Sequence, residues 1–152
     1  MDTELTEFIV AAKRATYAAV DEGGEQQSSD GAKKLEYSRG GLHYQDVYYG
    51  STDFAGQETV FKQRKPIWAM NYYGATPDRT ETKELYAFLK TALKEVTIDA
   101  PYRGRARLTN GALEYSNEWH GSPERFHGRE QISKKGIIVY ELRYEGGLIG
   151  RA

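Results

Sequence analysis

The N-terminal segment has the hydrophobic pattern of an amphipathic helix. Apolar or small residues recur there at spacings of three and four, which places them along one face of an α-helix. Asp2 or Thr3 can cap the start of this helix, and Gly23 and Gly24 follow its end. The residues of the apolar face are Leu5, Phe8, Ile9, Ala12, Ala15, Thr16 and Ala19.

A second segment, in the middle of the chain, has the same helical spacing. Pro77 precedes it, and Asp78 followed by Glu81 has the spacing of a capping box. Pro101 prevents further continuation of the helix, because proline lacks the amide hydrogen that a helix needs. The apolar stripe consists of Leu85, Phe88, Leu89, Ala92, Leu93 and Val96.

The remaining chain has the pattern of short β-strands joined by hairpins. Tyr, Val, Ile, Trp and Phe crowd these segments, and pleated, half-buried surfaces favour such residues. Gly40-Gly41 separates LEYSR from LHYQDVYY, and Asn110-Gly111 separates RARLT from ALEYSNEW. Both dipeptides favour type I′ turns, which need positive φ angles. The runs RKP at 64–66 and KKG at 134–136 are expected to join further strands.

The segment between the first helix and the first strand, residues 21–33, is predicted to be a mobile loop. It contains Gly, Ser, Gln and Asp but no aromatic or large aliphatic side chain. Such a composition cannot bury enough apolar surface to offset the entropy lost on ordering.

Two parts of the chain resemble each other. When residues 41–74 are laid over residues 112–146, with one residue inserted, the patterns L-x-Y-x5-G-S and F-x-G-x-E-x-[VI]-x-K occur twice. A fixed internal period is the signature of a repeated structural unit. The matched pairs include Leu42 with Leu113, Tyr44 with Tyr115, Gly50 with Gly121, Phe54 with Phe126, Glu58 with Glu130, Trp68 with Tyr140, and Tyr72 with Tyr144.

These patterns predict a single α+β domain over residues 1–152. Its mostly antiparallel sheet is built from two α-ββββ repeats, approximately 3–74 and 78–149, related by a pseudo-twofold, with the helices packed on one face. A single copy would leave open sheet edges, whereas two copies can share one continuous sheet. The other face, or a groove between the copies, is left for a ligand or partner. The alternative is that two unrelated meanders share turn glycines and strand tyrosines by chance.

Composition and charge narrow the class of protein. A chain of 152 residues is long enough to bury a sizeable core. Its 21 basic and 22 acidic residues argue against a dedicated nucleic-acid binder, which needs a basic surface for phosphate contacts. The lack of cysteine excludes disulfides and fits a reducing cytoplasm. The N-terminus MDTELTEF has no signal-peptide pattern, and no apolar stretch is long enough to span a membrane.

Several longer stretches resemble a bacterial family known as a domain of unknown function. The resemblance covers roughly residues 5–149, and its most specific pieces are W-A-M-N-Y-x-G and P-Y-R-G. Some relatives are fused to a helix-turn-helix DNA-binding domain, which implies a sensing or regulatory role. This chain has RYEGG where the family more usually has F-H-G-G. The resemblance brings no established activity. Its stretches are YYGSTDFAGQETVF, PIWAMNYYG, PYRG, FHGREQI and VYELRYEGG.

Glu58 and Glu130 are the first candidates for a functional site, because both stand at the end of an F-x-G-x-E motif. Two carboxylates that face each other across a cleft can perform acid–base work or hold a cation. The alternative is structural, with each glutamate bracing its own hairpin, exposed or bonded to a backbone amide. The glycine two residues earlier indicates a bulge or tight turn, which suits that alternative.

The segment WAMNYYG is the second candidate. Strand alternation places Trp68, Met70 and Tyr72 on one face, expected to be core, and Asn71 and Tyr73 on the other. An aromatic-lined pocket with one amide is a credible small-molecule site. The alternative is a buried aromatic strand whose asparagine is satisfied by hydrogen bonds.

The third candidate is histidine, of which the chain has His43, His120 and His127. With Glu118, two of these could bind zinc or iron, but the spacing matches no metal motif. Exposed strand and loop histidines are the preferred interpretation, and no metal is predicted.

The fourth candidate is the run from Tyr102 to Arg107. Strand alternation would place Arg103, Arg105 and Arg107 on one face, where guanidinium groups can hold a phosphate or carboxylate. The alternative is a solvated edge that prevents strand-to-strand aggregation.

The sequence favours a non-catalytic module that binds or senses a small molecule or peptide. It has no nucleotide-binding loop, nucleophile elbow or metal-ligand motif. One alternative is a hydrolase or isomerase that uses paired carboxylates in a cleft between the repeats. Another is a protein-interaction or oligomerisation domain, including a homodimer. No cofactor is predicted, and neither a membrane nor nucleic acid is expected as a partner of this chain alone. The predicted ligand-binding residues are Tyr44, Glu58, Trp68, Asn71, Tyr73, Arg103, Glu130 and Tyr140.

Overall fold

The computed structural model describes residues 2–21, 24–77 and 83–150 of the chain. Within these residues, two helices cover one antiparallel sheet of nine strands, which is an α+β fold. The elements are α1 (Thr3–Asp21), β1 (Gln26–Gln27), β2 (Lys33–Arg39), β3 (Leu42–Gly50), β4 (Phe54–Lys62), β5 (Lys65–Ala75), α2 (Lys83–Leu93), β6 (Arg107–Asn110), β7 (Leu113–Ser122), β8 (Arg125–Lys134) and β9 (Ile137–Leu148).

The strands follow the order β1-β2-β3-β4-β5-β9-β8-β7-β6, and all neighbours are antiparallel. The last strands of the two meanders, β5 and β9, pair at the centre, where Tyr72 lies opposite Tyr144. The edge strands β1 and β6 have two and four residues. Such short edges offer little backbone for pairing with another chain.

Both helices form where the apolar spacing predicts them. The Asp2 carboxylate accepts a hydrogen bond from the Glu4 amide at 3.0 Å and so caps α1. Gly23, Asp78 and Glu81 lie outside the described residues, as does the side chain of Ala19. Apolar residues of both helices and of one sheet face form a single core cluster. No helix among the described residues is long and apolar enough to cross a membrane.

The hairpin turns differ from those predicted. In the two-residue loops Gly40-Gly41 and Gly111-Ala112, only the first residue has a positive φ, 59° and 62°. This is the type II′ pattern, so the type I′ prediction for these hairpins is wrong. The second loop also begins one residue later than predicted, because Asn110 still pairs with β7. Positive φ at both positions occurs instead at Gln63-Arg64 and Lys135-Gly136.

The described part of segment 21–33 contains a strand and a turn. Gln26 and Gln27 of β1 pair with Lys34 and Lys33 of β2. A tight turn follows, in which the Ser28 amide donates to the Ala32 carbonyl at 2.8 Å. These backbone hydrogen bonds form without large apolar side chains in the stretch, and its mobility stays a prediction.

Candidate functional site

The core between the helices and the sheet contains four charged side chains with almost no solvent exposure. They are Lys13, Glu58, Arg103 and Glu130. An isolated charge is costly in such surroundings, so each must be paired and hydrogen-bonded. The four groups form two ion pairs, one beneath each meander of the sheet.

The first pair joins α1 to β4. The Lys13 ammonium lies 2.8 Å from Glu58 Oε1 and donates a second bond to the Tyr102 carbonyl at 2.5 Å. The Tyr44 hydroxyl donates to the same Glu58 oxygen. The other oxygen, Oε2, is buried and has no hydrogen-bond partner. Burial lowers the pKa of Lys13, and the Glu58 carboxylate only partly opposes this.

The second pair is more completely satisfied. Arg103 donates to Glu130 through Nη2 at 2.9 Å and through Nε to both carboxylate oxygens at 3.2 Å. The hydroxyl of Tyr140 donates to the same carboxylate at 2.9 Å, and the Tyr115 hydroxyl also donates to it. The Tyr115 hydroxyl in turn accepts a hydrogen bond from the Gly104 amide at 3.0 Å. Both oxygens of Glu130 therefore have partners, one of them a fixed guanidinium fork.

In each meander, a tyrosine of the last strand also donates a hydrogen bond to a polar residue two strands away. Tyr72 donates to Asp46 at 2.6 Å, and Tyr144 donates to Asn117 at 2.7 Å. Asn117 uses its amide nitrogen as well, which donates to the Gly104 carbonyl at 2.9 Å. Burial, and after it the nearby Glu58 charge, raises the pKa of Asp46 to about 7.

The glycines of the F-x-G-x-E motifs make room for tyrosine rings. A Cβ built on Gly56 would overlap the ring of Tyr72, and one built on Gly128 would overlap that of Tyr144. The bulge or tight turn predicted from these glycines is wrong. The sheet register shifts further along each strand, between Val60 and Phe61 and between Ile132 and Ser133.

A cavity of about 310 Å³ lies between the helices and strands β2–β5. Tyr17 of α1, Asp46 of β3 and Arg103 supply buried polar groups to its lining. The Tyr17 hydroxyl is buried and has no hydrogen-bond partner, and burial raises its pKa well above the ordinary value. Apolar wall comes from Leu35, Phe54, Leu89 and Leu93, and the cavity also meets Lys33, Tyr48, Gly50, Ser51, Tyr72, Tyr86 and Lys90.

The outer face of the sheet carries a larger depression of about 670 Å³, bordered by exposed side chains. His120 and His127 lie opposite each other there, with ring centroids 5.1 Å apart. Asn71 accepts a hydrogen bond from Gln57 at 2.8 Å, and Tyr73 is 58% exposed. Within the described ranges, no group of three or more His, Asp or Glu side chains is arranged to hold a metal ion.

Most residues of the buried network lie within the part of the chain that matches a known sequence family. The sequence pattern of a domain of unknown function, DUF5680, matches residues 46–149. The chain belongs to the DUF5680 family. No curated protein matches the chain, and no solved structure matches it. The DUF5680 segment begins at Asp46 and includes Glu58, Arg103 and Glu130, whereas Lys13 and Tyr17 come from α1, which precedes it.

The eight predicted ligand residues are divided between the two faces of the DUF5680 sheet. Asn71 and Tyr73 border the outer depression, and Arg103 lines the inner cavity. The predicted open cleft between two carboxylates is wrong, because cations and tyrosines enclose each glutamate. The other five residues, Tyr44, Glu58, Trp68, Glu130 and Tyr140, are buried in the core.

The three arginines do not share one face. Residues 101–106 form a loop that precedes β6, so strand alternation does not apply to them. Arg103 points into the core, whereas Arg105 and Arg107 are exposed and pair with Glu95 at 3.3 Å and Glu114 at 2.8 Å. The prediction that the three arginines share one face is therefore wrong. Arg105 and Arg107 fit the alternative of a solvated edge.

Sequence reasoning missed three residues of the site, namely Lys13, Tyr17 and Asp46. Lys13 stands four residues after Ile9 and three before Thr16, on the apolar face of α1. A lysine at such a position is a signal for a buried ion pair. The signal for Asp46 was the repeat, because laying residues 41–74 over residues 112–146 aligns Asp46 with Asn117.

Proposed function

We propose that this DUF5680 protein is a non-catalytic module that binds a small organic molecule in the cavity between the helices and β2–β5. The observation that carries the proposal is the Tyr17 hydroxyl, which is buried at the cavity and has no hydrogen-bond partner. A buried polar group without a partner is costly. A ligand that bonds this hydroxyl would remove that cost and would be oriented by it.

The size and lining of the cavity support a small molecule over a peptide. A volume of about 310 Å³ is at the lower end of the range of ligand pockets and has no room for more than a very short peptide. Four leucine and phenylalanine side chains give it an apolar wall, while Asp46 and Tyr17 offer a few convergent polar atoms. This combination is typical of pockets that bury most of a ligand and fix its orientation.

A second candidate function is an isomerase or hydrolase in which Asp46 transfers protons. The pKa of this carboxyl, raised by burial to about 7, suits a group that must gain and lose a proton near neutral pH. Tyr72 holds one of its oxygens in place. Asp46 thus replaces the Glu58 and Glu130 pair as the acid–base candidate. Turnover of a bound ligand that stops in Asp46→Asn would favour this function over binding alone.

We also propose that the chain arose by duplication of one α-ββββ unit, with repeats at approximately 3–74 and 78–149. In support, each half has a buried glutamate that accepts a hydrogen bond from a strand tyrosine. Each half also has a shift in strand register at a matched position, after Val60 and after Ile132. A crystal structure tests this. The two meanders should superpose by a rotation of about half a turn around an axis that passes between β5 and β9, perpendicular to the sheet.

The setting that we propose for this module is a bacterial cytoplasm, where it would sense its ligand without a membrane or nucleic acid as partner. The absence of cysteine and the net charge of −1 support this proposal.

Ligand binding is tested by a thermal-shift screen of metabolites against the wild-type protein and a variant with a blocked cavity. Ser51 is exposed in the β3–β4 loop at the cavity, so Ser51→Trp should fill its mouth without disturbing the core. Thr109→Trp, on the exposed edge strand β6, is the matched control. We expect ligands to raise the melting temperature of the wild type and of Thr109→Trp but not of Ser51→Trp. Equal stabilisation of all three proteins, or no stabilisation by any compound, would contradict the proposal.

A further inference from the structure

We infer that the cavity takes a carboxylic acid with an apolar body, an inference that rests on the proposed binding function. The juxtaposition behind it is a wall of leucine and aromatic side chains bordered by Lys33, Lys90 and Arg103.

The charge of the lining favours an anion. Three basic side chains line the cavity, and Asp46 is the one acidic side chain among its lining residues. Arg103 is neutralised by its ion pair with Glu130, which lies behind the wall. Lys33, by contrast, is half-buried and bonds the Gly50 carbonyl at 2.9 Å. Basic side chains therefore outnumber the one acidic side chain in the lining, and the low-dielectric wall strengthens their attraction for an anion.

The aromatic side chains of the cavity disfavour an amine. A cationic ligand would need the faces of the tyrosine rings, because cation–π attraction acts there. The Lys33 ammonium already lies 5.4 Å from the centre of the Tyr48 ring, and the Arg103 guanidinium lies 5.8 Å from that of Tyr72. A second cation at the Tyr48 ring would be repelled by Lys33, and the guanidinium of the Arg103–Glu130 pair already lies over the Tyr72 ring.

The remaining wall favours an apolar body of limited size. Leu35, Leu89, Leu93 and Phe54 offer no hydrogen bonds, so a sugar or other polyhydroxylated molecule would lose its hydration without replacement. A volume of about 310 Å³ equals that of about ten water molecules in the liquid, which suits a molecule of about ten non-hydrogen atoms. A short alkyl or phenylalkyl chain fits this description.

The small number of hydrogen-bond donors at the cavity favours a carboxylate over a phosphate. A phosphate carries close to two charges and three acceptor oxygens at neutral pH, and it needs several donors when it leaves water. The ammonium groups of Lys33 and Lys90, together with the Tyr17 hydroxyl, can satisfy one carboxylate more readily than they can satisfy a phosphate.

Isothermal titration with four probes of similar shape tests this inference: octanoate, octanamide, octylamine and octyl phosphate. Their matched chains isolate the effect of the head group. We expect octanoate to bind the wild-type protein about tenfold more tightly than any of the other three. We also expect the double variant Lys33→Gln/Lys90→Gln to lose about tenfold in octanoate affinity. The variant Lys65→Gln, at the exposed β4–β5 hairpin, is the control and should retain the wild-type affinity.

The outcomes separate this inference from the binding function on which it rests. If octanamide, octylamine or octyl phosphate binds as tightly as octanoate, and Ser51→Trp abolishes that binding, the cavity is a ligand site but the carboxylate inference is wrong. The inference is also wrong if the double lysine variant binds octanoate like the wild type. If no probe and no screened metabolite binds, the binding function fails together with it.

Discussion

Each half of the sheet buries one glutamate, but the two halves differ in how completely its carboxylate is hydrogen-bonded. In the C-terminal half, Glu130 is held by an arginine fork and two tyrosines, and both carboxylate oxygens have partners. In the N-terminal half, Glu58 is held by a lysine and one tyrosine, and Oε2 has none. The half with the incomplete network is also the half that borders the cavity. The C-terminal half is therefore sealed, in the sense that both oxygens of its buried glutamate have partners, whereas the N-terminal half leaves Glu58 Oε2 without one.

The cause of this difference is the connection that precedes each meander. Between α2 and β6, the chain crosses the core. Tyr102 stacks on Phe126 with 4.2 Å between ring centroids, and the Gly104 backbone bonds both Tyr115 and Asn117. Between α1 and β2, the described chain runs instead along the sheet edge as β1. The described residues of this connection therefore provide no equivalent backbone beneath β2–β5.

The largest expected effect comes from removing the carboxylate that seals the C-terminal half. Glu130→Gln keeps the shape of the side chain but leaves Arg103 charged in the core, because a guanidinium does not give up its proton. We expect a loss of about 3–5 kcal/mol in the free energy of unfolding, measured by urea denaturation.

The matched variant in the N-terminal half should be less harmful. In Glu58→Gln the remaining cation is Lys13, whose pKa burial already lowers, so it can become neutral. We expect a loss smaller than that of Glu130→Gln by about 1–2 kcal/mol, and almost none for the exposed control Glu118→Gln. Equal losses at Glu58 and Glu130 would show that the two networks do not differ in the way described.

The next largest effect concerns Asp46 and its counterpart Asn117. The folded protein raises the pKa of Asp46 from 3.8 to about 7, so between these values it holds a proton that the unfolded chain releases. This group therefore lowers stability as pH rises from about 4 to 7. Asp46→Asn removes the titration, and the stability of the variant relative to wild type should improve by up to about 4 kcal/mol between pH 4 and pH 8.

The reciprocal variant provides the control for this pH dependence. Asn117→Asp places a carboxyl in the sealed half, beside Glu130 and the Gly104 carbonyl, and its stability should fall with rising pH. Urea denaturation at several pH values measures both variants. A pH slope of Asp46→Asn identical to that of the wild type would show that this carboxyl is ionised throughout.

The sequence was sufficient for the periodic elements but not for the site. Helix spacing located α1 and α2, and alternation placed Trp68, Met70 and Tyr72 in the core, because these signals depend on neighbouring residues alone. The inward turn of Arg103 depends on a loop path that no period encodes. Strand alternation was applied to it and gave the wrong face.

Pairing across the core was equally hidden from the sequence. Lys13 and Glu58 are 45 positions apart, and the ion pair exists because α1 packs on β2 and β3, from where the Lys13 side chain reaches Glu58 on β4. The repeat pointed to Glu58 and Glu130 as equivalent residues, but their environments depend on different connections. Internal similarity therefore identified which residues matter and could not state what each one contacts.

A smaller effect is expected at the glycines under the tyrosine rings, where the two halves should behave alike. Gly56→Ala and Gly128→Ala each force a methyl group into the ring of Tyr72 or Tyr144. Overpacking of this kind costs about 1–3 kcal/mol, measurable by thermal or urea denaturation. Gly41→Ala is the control, because nothing lies within 4 Å of its added Cβ and its φ is not positive. A neutral Gly128→Ala would mean that the Tyr144 ring moves freely away.

The smallest effect is expected at Tyr17, one of two buried tyrosine hydroxyls on the same side of the core. The hydroxyl of Tyr44 donates to Glu58, so Tyr44→Phe should cost about 1.5–3 kcal/mol. The hydroxyl of Tyr17 has no partner, so Tyr17→Phe should be neutral or stabilise the protein by up to about 1 kcal/mol. Urea denaturation of both variants without ligand measures this difference. If Tyr17→Phe were as costly as Tyr44→Phe, the Tyr17 hydroxyl would be satisfied within the protein, and the N-terminal half would be sealed like the other.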